Sequence, residues 1–472
     1  MIHLQRLLSF STTKPFFYLA TVGIVFSALQ FWLRPNALQT TSLVIFTALM
    51  TGTFYFWRFR LGFAFLGVAA LLGSGVIDLQ TLLQFAALDL ILFLVSMMIV
   101  IGYLEEKRVF HLITERILRA TPRNAAKLVV ILMLTSAMLA ALVDEVTSVL
   151  FMVATVVHIA RKYQVDPAPF VMMTVFATNI GSSATVIGNP VGVLIAFRSG
   201  LSFNDFLRWA TPISLAGLGL AIVICLRYFS KNIAALAVRM NSVKSVSTTP
   251  LQASDPPLRQ MLPPFLLFGA TVAGLLLHKY IEALLGLAPN SMLLGTPLAA
   301  AGMVLVLSRE NARDLVERKV DWWSLVFFIM LFASVGTLKF VGVTERIASS
   351  LAVSTGGDTG SSVVTLGVVA GLASASMDNI LAVAILVPIV QDLGLVGVYS
   401  FPLWWALLFG ATFFGNLTLI GSTANIVAVG MLERGQFRSL TFRSWLVPGA
   451  LVAIPTLALA LLLIMIQIPL MP

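Results

Sequence analysis

Apolar runs follow one another along most of the chain, separated by short polar stretches. A run of about 20 apolar residues is the length that crosses a bilayer as a helix. The pattern predicts spans near 16–33, 40–57, 61–77 and 82–103, and again near 211–228, 263–281, 291–307, 322–340 and 446–468. Two regions break it with acids. Apolar limbs at 128–142 and 146–159 flank Asp144-Glu145, and limbs at 363–377 and 380–391 flank Asp378-Asn379. Limbs this short suit a helical hairpin that enters the bilayer and returns, its polar tip at depth. Two other runs, 171–197 and 402–431, are interrupted at mid-length by Gly, Ser, Thr, Asn and Pro. Gly and Pro cost about 1 and 3 kcal/mol relative to Ala inside a helix, so these read as spans unwound in the middle. Such backbone is tolerated at membrane depth only where it is buried or lines a cavity. The stretch 105–127 is charged with an amphipathic period, which suits a helix lying on the membrane surface.

The interruptions recur in order. Asp78-Leu-Gln-Thr-Leu aligns with Asp321-Trp-Trp-Ser-Leu, Asp144-Glu145 with Asp378-Asn379, and Thr185-Val-Ile-Gly188-Asn189 with Thr418-Leu-Ile-Gly421-Ser422. This predicts N-terminal spans over 1–77 and a first repeat over 78–228 with its hairpin at 128–159 and broken helix at 171–197. A cytoplasmic linker over 229–262 and connecting spans over 263–307 follow. The second repeat covers 308–472, with its hairpin at 363–391 and broken helix at 402–431. The expected fold is an all-α polytopic membrane protein of inverted repeats, with two re-entrant hairpins and two unwound transmembrane helices.

Composition agrees. The chain of 472 residues is 59% hydrophobic and 11% charged, against about 25% charged in a soluble domain. The net charge of +10 is explained without nucleic acid. With the N-terminus inside, 24 of the 30 Lys and Arg residues fall in cytoplasmic segments, the bias of an inner (plasma) membrane protein. A single cysteine, Cys225, excludes an internal disulfide. Trp322-Trp323 and Trp404-Trp405 read as interfacial anchors, and Lys339 and Arg198 as snorkelling side chains near span ends.

The candidate chemistry lies at the interruptions. An ionised carboxylate at mid-bilayer costs at least ~2.5–3.5 kcal/mol and is kept where it holds a cation, carries a proton or faces water. Asp144, Glu145 and Thr147 at the first tip and Asp378 and Asn379 at the second are candidate ion ligands, with Ser148 and Ser376 adding hydroxyls. Asn179, Gly181, Ser182, Ser183, Thr185 and Asn189 in the first break, and Asn416, Thr418, Ser422, Thr423 and Asn425 in the second, complete the candidate site. Oxygen ligands of this kind suit a hard cation, and Asp144, Glu145, Asp378 and Asn379 are the candidate sodium ligands. Helix ends at the tips could attract either sign of charge, so the residues alone leave cation and anion open. Asp89, isolated among leucines, is either a proton carrier or a buried structural acid.

Asp-Glu-Val-Thr at 144–147, Thr-Asn-Ile-Gly-Ser-Ser-Ala-Thr-Val-Ile-Gly-Asn-Pro at 178–190, Met-Asp-Asn-Ile at 377–380 and Gly-Asn-Leu-Thr-Leu-Ile-Gly-Ser-Thr-Ala-Asn at 415–425 resemble the ion transporter superfamily. The nearest branch is the ArsB/NhaD and melanosomal P-protein-like permeases, with dicarboxylate symporters and citrate carriers more distant. The resemblance implies a homodimer with a scaffold domain and a mobile transport domain moving in an elevator-like manner. The P-protein pattern has Asp-Asn at both tips, whereas the first tip here is Asp144-Glu145. The Ser-Asn-Thr tips of the dicarboxylate symporters are absent.

The expectation is therefore a secondary active transporter, a sodium (cation)/proton antiporter. The alternative is an ion-coupled carrier of a small anion such as an arsenite-type oxyanion, citrate or another carboxylate. No cofactor is expected beyond sodium or a proton as coupling ion, and the partners are a small ion or solute and the lipid bilayer. An enzyme is disfavoured because GxSxG, HExxH and paired cysteines are lacking, and a primary pump because no GxxxxGK[ST] loop is present.

Overall fold

The computed structural model describes residues 13–110, 112, 124–242, 258–435, 437 and 440–472. These are helical throughout, without a strand. Ten helices among them are long and apolar enough to cross a membrane. Most expected spans are present with shifted ends, as Ala37–Tyr55, Arg60–Gly73, Ser291–Ser308, Trp322–Phe340 and Phe442–Gln467.

Four differences are instructive. The expected span 82–103 is two helices, Leu79–Phe85 and Leu88–Glu106, because Ala87 takes a left-handed φ of 52° inside an unbroken apolar run. The expected linker opens with a helix, Ser230–Ser242, which buries Ile233 and Leu236 on one face; polar composition concealed its period. The helix Val343–Ser354 likewise carries buried Val343, Thr344 and Ala348 in a stretch that reads as polar. The hairpin limbs are also longer than the sequence suggests. The first has limbs Ala125–Leu142 and Glu145–Tyr163, and the second Thr359–Ser376 and Asn379–Leu395. A limb of 18 residues extends about 27 Å. Length therefore does not make these hairpins re-entrant; what their tips touch decides their depth. The amphipathic reading of 105–127 falls mostly outside the described residues.

The chain divides into two compact units. One comprises the described residues of Met1–Ile91 with Asp321–Gly357 and Pro388–Val398. Its core packs Val68, Leu71, Val76, Ile77 and Leu82 against Ala333. Gln39 Nε2 donates to the Val341 carbonyl at 2.9 Å, and Arg346 Nη1 to the Leu33 and Arg34 carbonyls at 2.8 Å. Lys339, expected to snorkel, instead donates to Gln391 Oε1 at 2.6 Å and lies 3.9 Å from Asp392. Asp89 is half-buried in this unit, its Oδ1 accepting from the Leu90 amide.

The other unit comprises Leu92–Val320, Asp358–Val387 and Tyr399–Pro472. It holds both hairpin tips and both broken segments. Trp322 and Trp323, in the first unit, are exposed as anchors should be, whereas Trp404 and Trp405 are buried. Trp405 packs edge-on against Phe206 at 5.0 Å between ring centroids. Aromatic anchors and aromatic core have the same composition, so sequence does not separate them.

Candidate functional site

Each broken segment is two short helices with a gap between them. The first runs Ala168–Gly181, then irregular turns, then Pro190–Ser199; the second runs Phe401–Phe414, then Thr423–Arg434. The restart of each is capped locally. Asn189 Oδ1 accepts from the Gly192 amide at 2.7 Å, and Ser422 Oγ from the Ala424 amide at 3.1 Å. The hairpin tips are capped in the same way. Asp144 Oδ1 accepts from the Thr147 amide at 2.8 Å, and Asp378 Oδ1 from the Ile380 amide at 3.4 Å. The two acids aligned by sequence thus do one structural job at equivalent tips, closing the N-terminus of the returning limb.

The tips dock on the breaks with matching bonds. Thr185 Oγ1 donates to the Ala141 carbonyl, and Thr418 Oγ1 to the Ala375 carbonyl at 2.6 Å. Each acceptor lies three residues before a tip aspartate. Because each break sits midway along its segment, each tip is held at mid-segment depth.

At the centre the two tips meet. Asn379 Nδ2 donates to Glu145 at 3.4 Å and 3.5 Å. Ser182 Oγ lies 3.5 Å from Glu145 Oε2, its single proton having a nearer acceptor in the Asn179 carbonyl at 3.0 Å. Glu145 is 2% exposed, Asp378 and Asn379 3% each. Asp378 Oδ2 also accepts from Thr423 Oγ1 at 2.5 Å. The sequence pair Asp144-Glu145 is therefore split. Asp144 is half-buried and caps, while Glu145 is turned inward.

The asparagines form a lattice behind the tips, joined to them through Ser182. Asn425 Nδ2 donates to the Gly415 and Thr418 carbonyls at 2.9 and 2.8 Å. That orients its amide, because carbonyls only accept. Asn425 Oδ1 must then receive the Asn179 Nδ2 at 2.8 Å; the same nitrogen reaches Asn416 Oδ1 at 2.7 Å, and Ser422 Oγ donates to Asn179 Oδ1 at 3.2 Å. Asn189 Nδ2 donates to Ser182 Oγ at 2.8 Å. This lattice absorbs the carbonyls that the second break frees.

The predicted residues thus separate. Glu145, Asp378, Asn379, Ser182 and Thr423 come together at the tips, with Asp144 and half-buried Thr147 at the rim. Asn179, Asn189, Asn416, Asn425, Ser422, Thr185 and Thr418 build the support. Gly181 is a packing glycine, since a Cβ there would lie 2.4 Å from the Ala137 backbone. Ser183 faces elsewhere, pairing with Ser214 Oγ at 2.8 Å, and Ser376 is exposed. Among the described residues no three His, Cys, Asp or Glu side chains form a metal-holding group. Sequence reasoning missed Ser374, which donates to the Ala411 carbonyl at 2.7 Å, and Trp445, whose Nε1 donates to the Asn416 carbonyl at 3.0 Å. Neither carries a signal, as a lone Ser or Trp in an apolar run has many uses.

The sequence profile described as "Citrate transporter" (CitMHS) matches residues 43–410 and 341–471. The chain belongs to the citrate transporter family. It is 33% identical over 379 residues to an uncharacterised transporter of Mycobacterium tuberculosis, covering 79% of this chain and 84% of that protein. It is 24% identical over 475 residues to the P protein of Homo sapiens, covering 84% of this chain and 56% of that protein. Among solved structures, the YdaH transporter of Alcanivorax borkumensis, described as having an unusual topology, matches with a TM-score of 0.59 at 16% identity, over 83% of this chain and 87% of that one. The protein is a multi-pass membrane transporter rather than an enzyme, and its fold is that of the solved transporter.

Proposed function

We propose that the protein exchanges a hard monovalent cation, sodium, for protons, with Glu145 and Asp378 as the shared carboxylates and Asn379, Ser182 and Thr423 beside them. The observation that carries this reading is Glu145. Its carboxylate is buried, its nearest hydrogen-bonding neighbours, Ser182 and Asn379, lie no closer than 3.4 Å, and no cationic side chain pairs with it among the described residues. A buried charge without a partner is costly. A proton or a bound cation removes that cost, and exchange of one for the other is antiport. The site is unlike an anion site. Four helix N-termini meet in one hydrogen-bonded network, and each is already capped by the chain's own side chain, two of them by carboxylates. The dipoles that would draw an anion are thereby answered.

An elevator-like movement of the unit bearing the site, a cytoplasmic N-terminus, an inner (plasma) membrane location and a homodimer belong to the same reading. The family description favours a second one, ion-coupled carriage of citrate or another small anion, including an arsenite-type oxyanion.

Purified protein in liposomes loaded with a pH-sensitive dye separates the two. A sodium or lithium pulse should drive proton flux, and protons should compete with sodium, so half-saturating sodium should rise as the pH falls. Glu145→Gln should abolish the coupled flux, a loss of more than about 100-fold. Citrate uptake with no cation-driven proton flux would overturn the reading.

A further inference from the structure

We propose that the Ser148 hydroxyl is a ligand of the transported cation and favours a hard monovalent ion over a bare proton; the inference rests on the cation reading above. Ser148 is 1% exposed and its Oγ has no hydrogen-bond partner. Several buried threonines on helices of the same unit are satisfied by the carbonyl four residues back, although the Thr296 and Ser308 hydroxyls on its helix Ser291–Ser308 also lack a partner. Thr155 donates to Phe151 at 2.8 Å, Thr174 to Phe170 at 2.7 Å, Thr412 to Leu408 at 2.8 Å and Thr456 to Val452 at 2.7 Å. Ser148 has that choice in the Asp144 carbonyl, which takes the Ser148 amide at 3.2 Å, but its hydroxyl does not use it. Unsatisfied buried groups are rare in native proteins and call for an explanation.

Position supplies one. Ser148 follows Glu145 by three residues on the limb Glu145–Tyr163, which places both on one helix face with Cβ atoms ~5–6 Å apart. Cα–Cβ bonds tilt toward a helix N-terminus, so the Ser148 hydroxyl leans toward the tip. There the nearest hydrogen-bonding neighbours of the Glu145 oxygens lie at 3.4–3.5 Å. A sodium ion seeks several oxygen ligands. A carboxylate oxygen and a neutral hydroxyl oxygen on consecutive turns supply two from one helix. A proton on Glu145 needs no such second ligand, so the hydroxyl favours sodium alone.

The test uses the full-length protein and its Ser148→Ala and Ser148→Thr variants, read by sodium-dependent thermal shift in detergent and by sodium-driven proton flux in liposomes. Without sodium, Ser148→Ala should melt at or above the wild-type temperature, since an unpaired hydroxyl is removed and Ala suits a helix. Its sodium-induced shift should vanish, and half-saturating sodium should rise by about tenfold or more. The pH dependence of its residual flux should match wild type, and Ser148→Thr should stay within about threefold of wild type. A wild-type sodium response in Ser148→Ala overturns the role of Ser148 and leaves the cation reading standing. A Ser148→Ala protein less stable than wild type without sodium, or unfolded, also overturns it, because the hydroxyl would then be a structural bond. A wild-type protein indifferent to sodium and lithium overturns both.

Discussion

Glu145 and Asn379 occupy equivalent positions at the two tips, directly after the capping aspartates, and they meet. One is a carboxylate and the other an amide, so the centre holds one fewer charge than a symmetric pair would. The amide donates to the acid at long range and leaves it free to take a proton or an ion. Behind them Asn179 has no such freedom: both its amide hydrogens and its oxygen are committed to Asn416, Asn425 and Ser422. Asn179→Asp keeps shape and size but removes both donors and sets a carboxylate against two amide oxygens. It should cost about 2–4 kcal/mol, read as a lower apparent melting temperature, whereas a tip change such as Glu145→Gln should leave melting near wild type. The sequence made all these polar residues visible, because Asp, Glu and Asn stand out against leucine. It could not rank them. Whether an amide binds cargo or ties up carbonyls depends on which backbone atoms the break exposes, and that is a tertiary fact.

At the scale of elements, hairpin and broken helix form a repeated pair. Each break donates a threonine hydroxyl to the limb that precedes its tip, and each pair packs through glycine. In the second repeat a Cβ on Gly410 would lie 2.5 Å from the Gly367 carbonyl oxygen, with no flexible side chain to yield. Gly410→Ala should therefore separate the limb Thr359–Ser376 from the helix Phe401–Phe414, costing roughly 1–3 kcal/mol and most of the transport rate. Gly430→Ala is the control. Its nearest neighbour is the Arg434 guanidinium at 3.8 Å, and it should behave as wild type in both stability and flux assays. Tips and breaks were legible in the sequence because they interrupt an apolar run. The kink at Ala87 was not, because an alanine among apolar residues gives no sign of its φ. The helices Ser230–Ser242 and Val343–Ser354 were obscured for the opposite reason, since a half-polar amphipathic segment resembles a loop when only composition is weighed.

At the scale of the molecule, the residues of both tips and both breaks fall within one compact unit, although they are separated by more than 200 positions along the chain. The aligned motifs foretold two copies of one arrangement. They did not foretell that the copies meet through Glu145 and Asn379, or that a tryptophan of the final span, Trp445, would hold the Asn416 carbonyl. A lattice whose donors and acceptors are all spoken for has no second pattern to adopt. Whatever rearranges during a transport cycle, the asparagine layer should keep its hydrogen-bond pattern, a stiff plate behind pliant tips. Deuterium uptake should record that contrast. Backbone hydrogens around Asn179 and Asn425 should be among the last to exchange in every condition, while those at Glu145 and Asn379 should slow only when sodium is present.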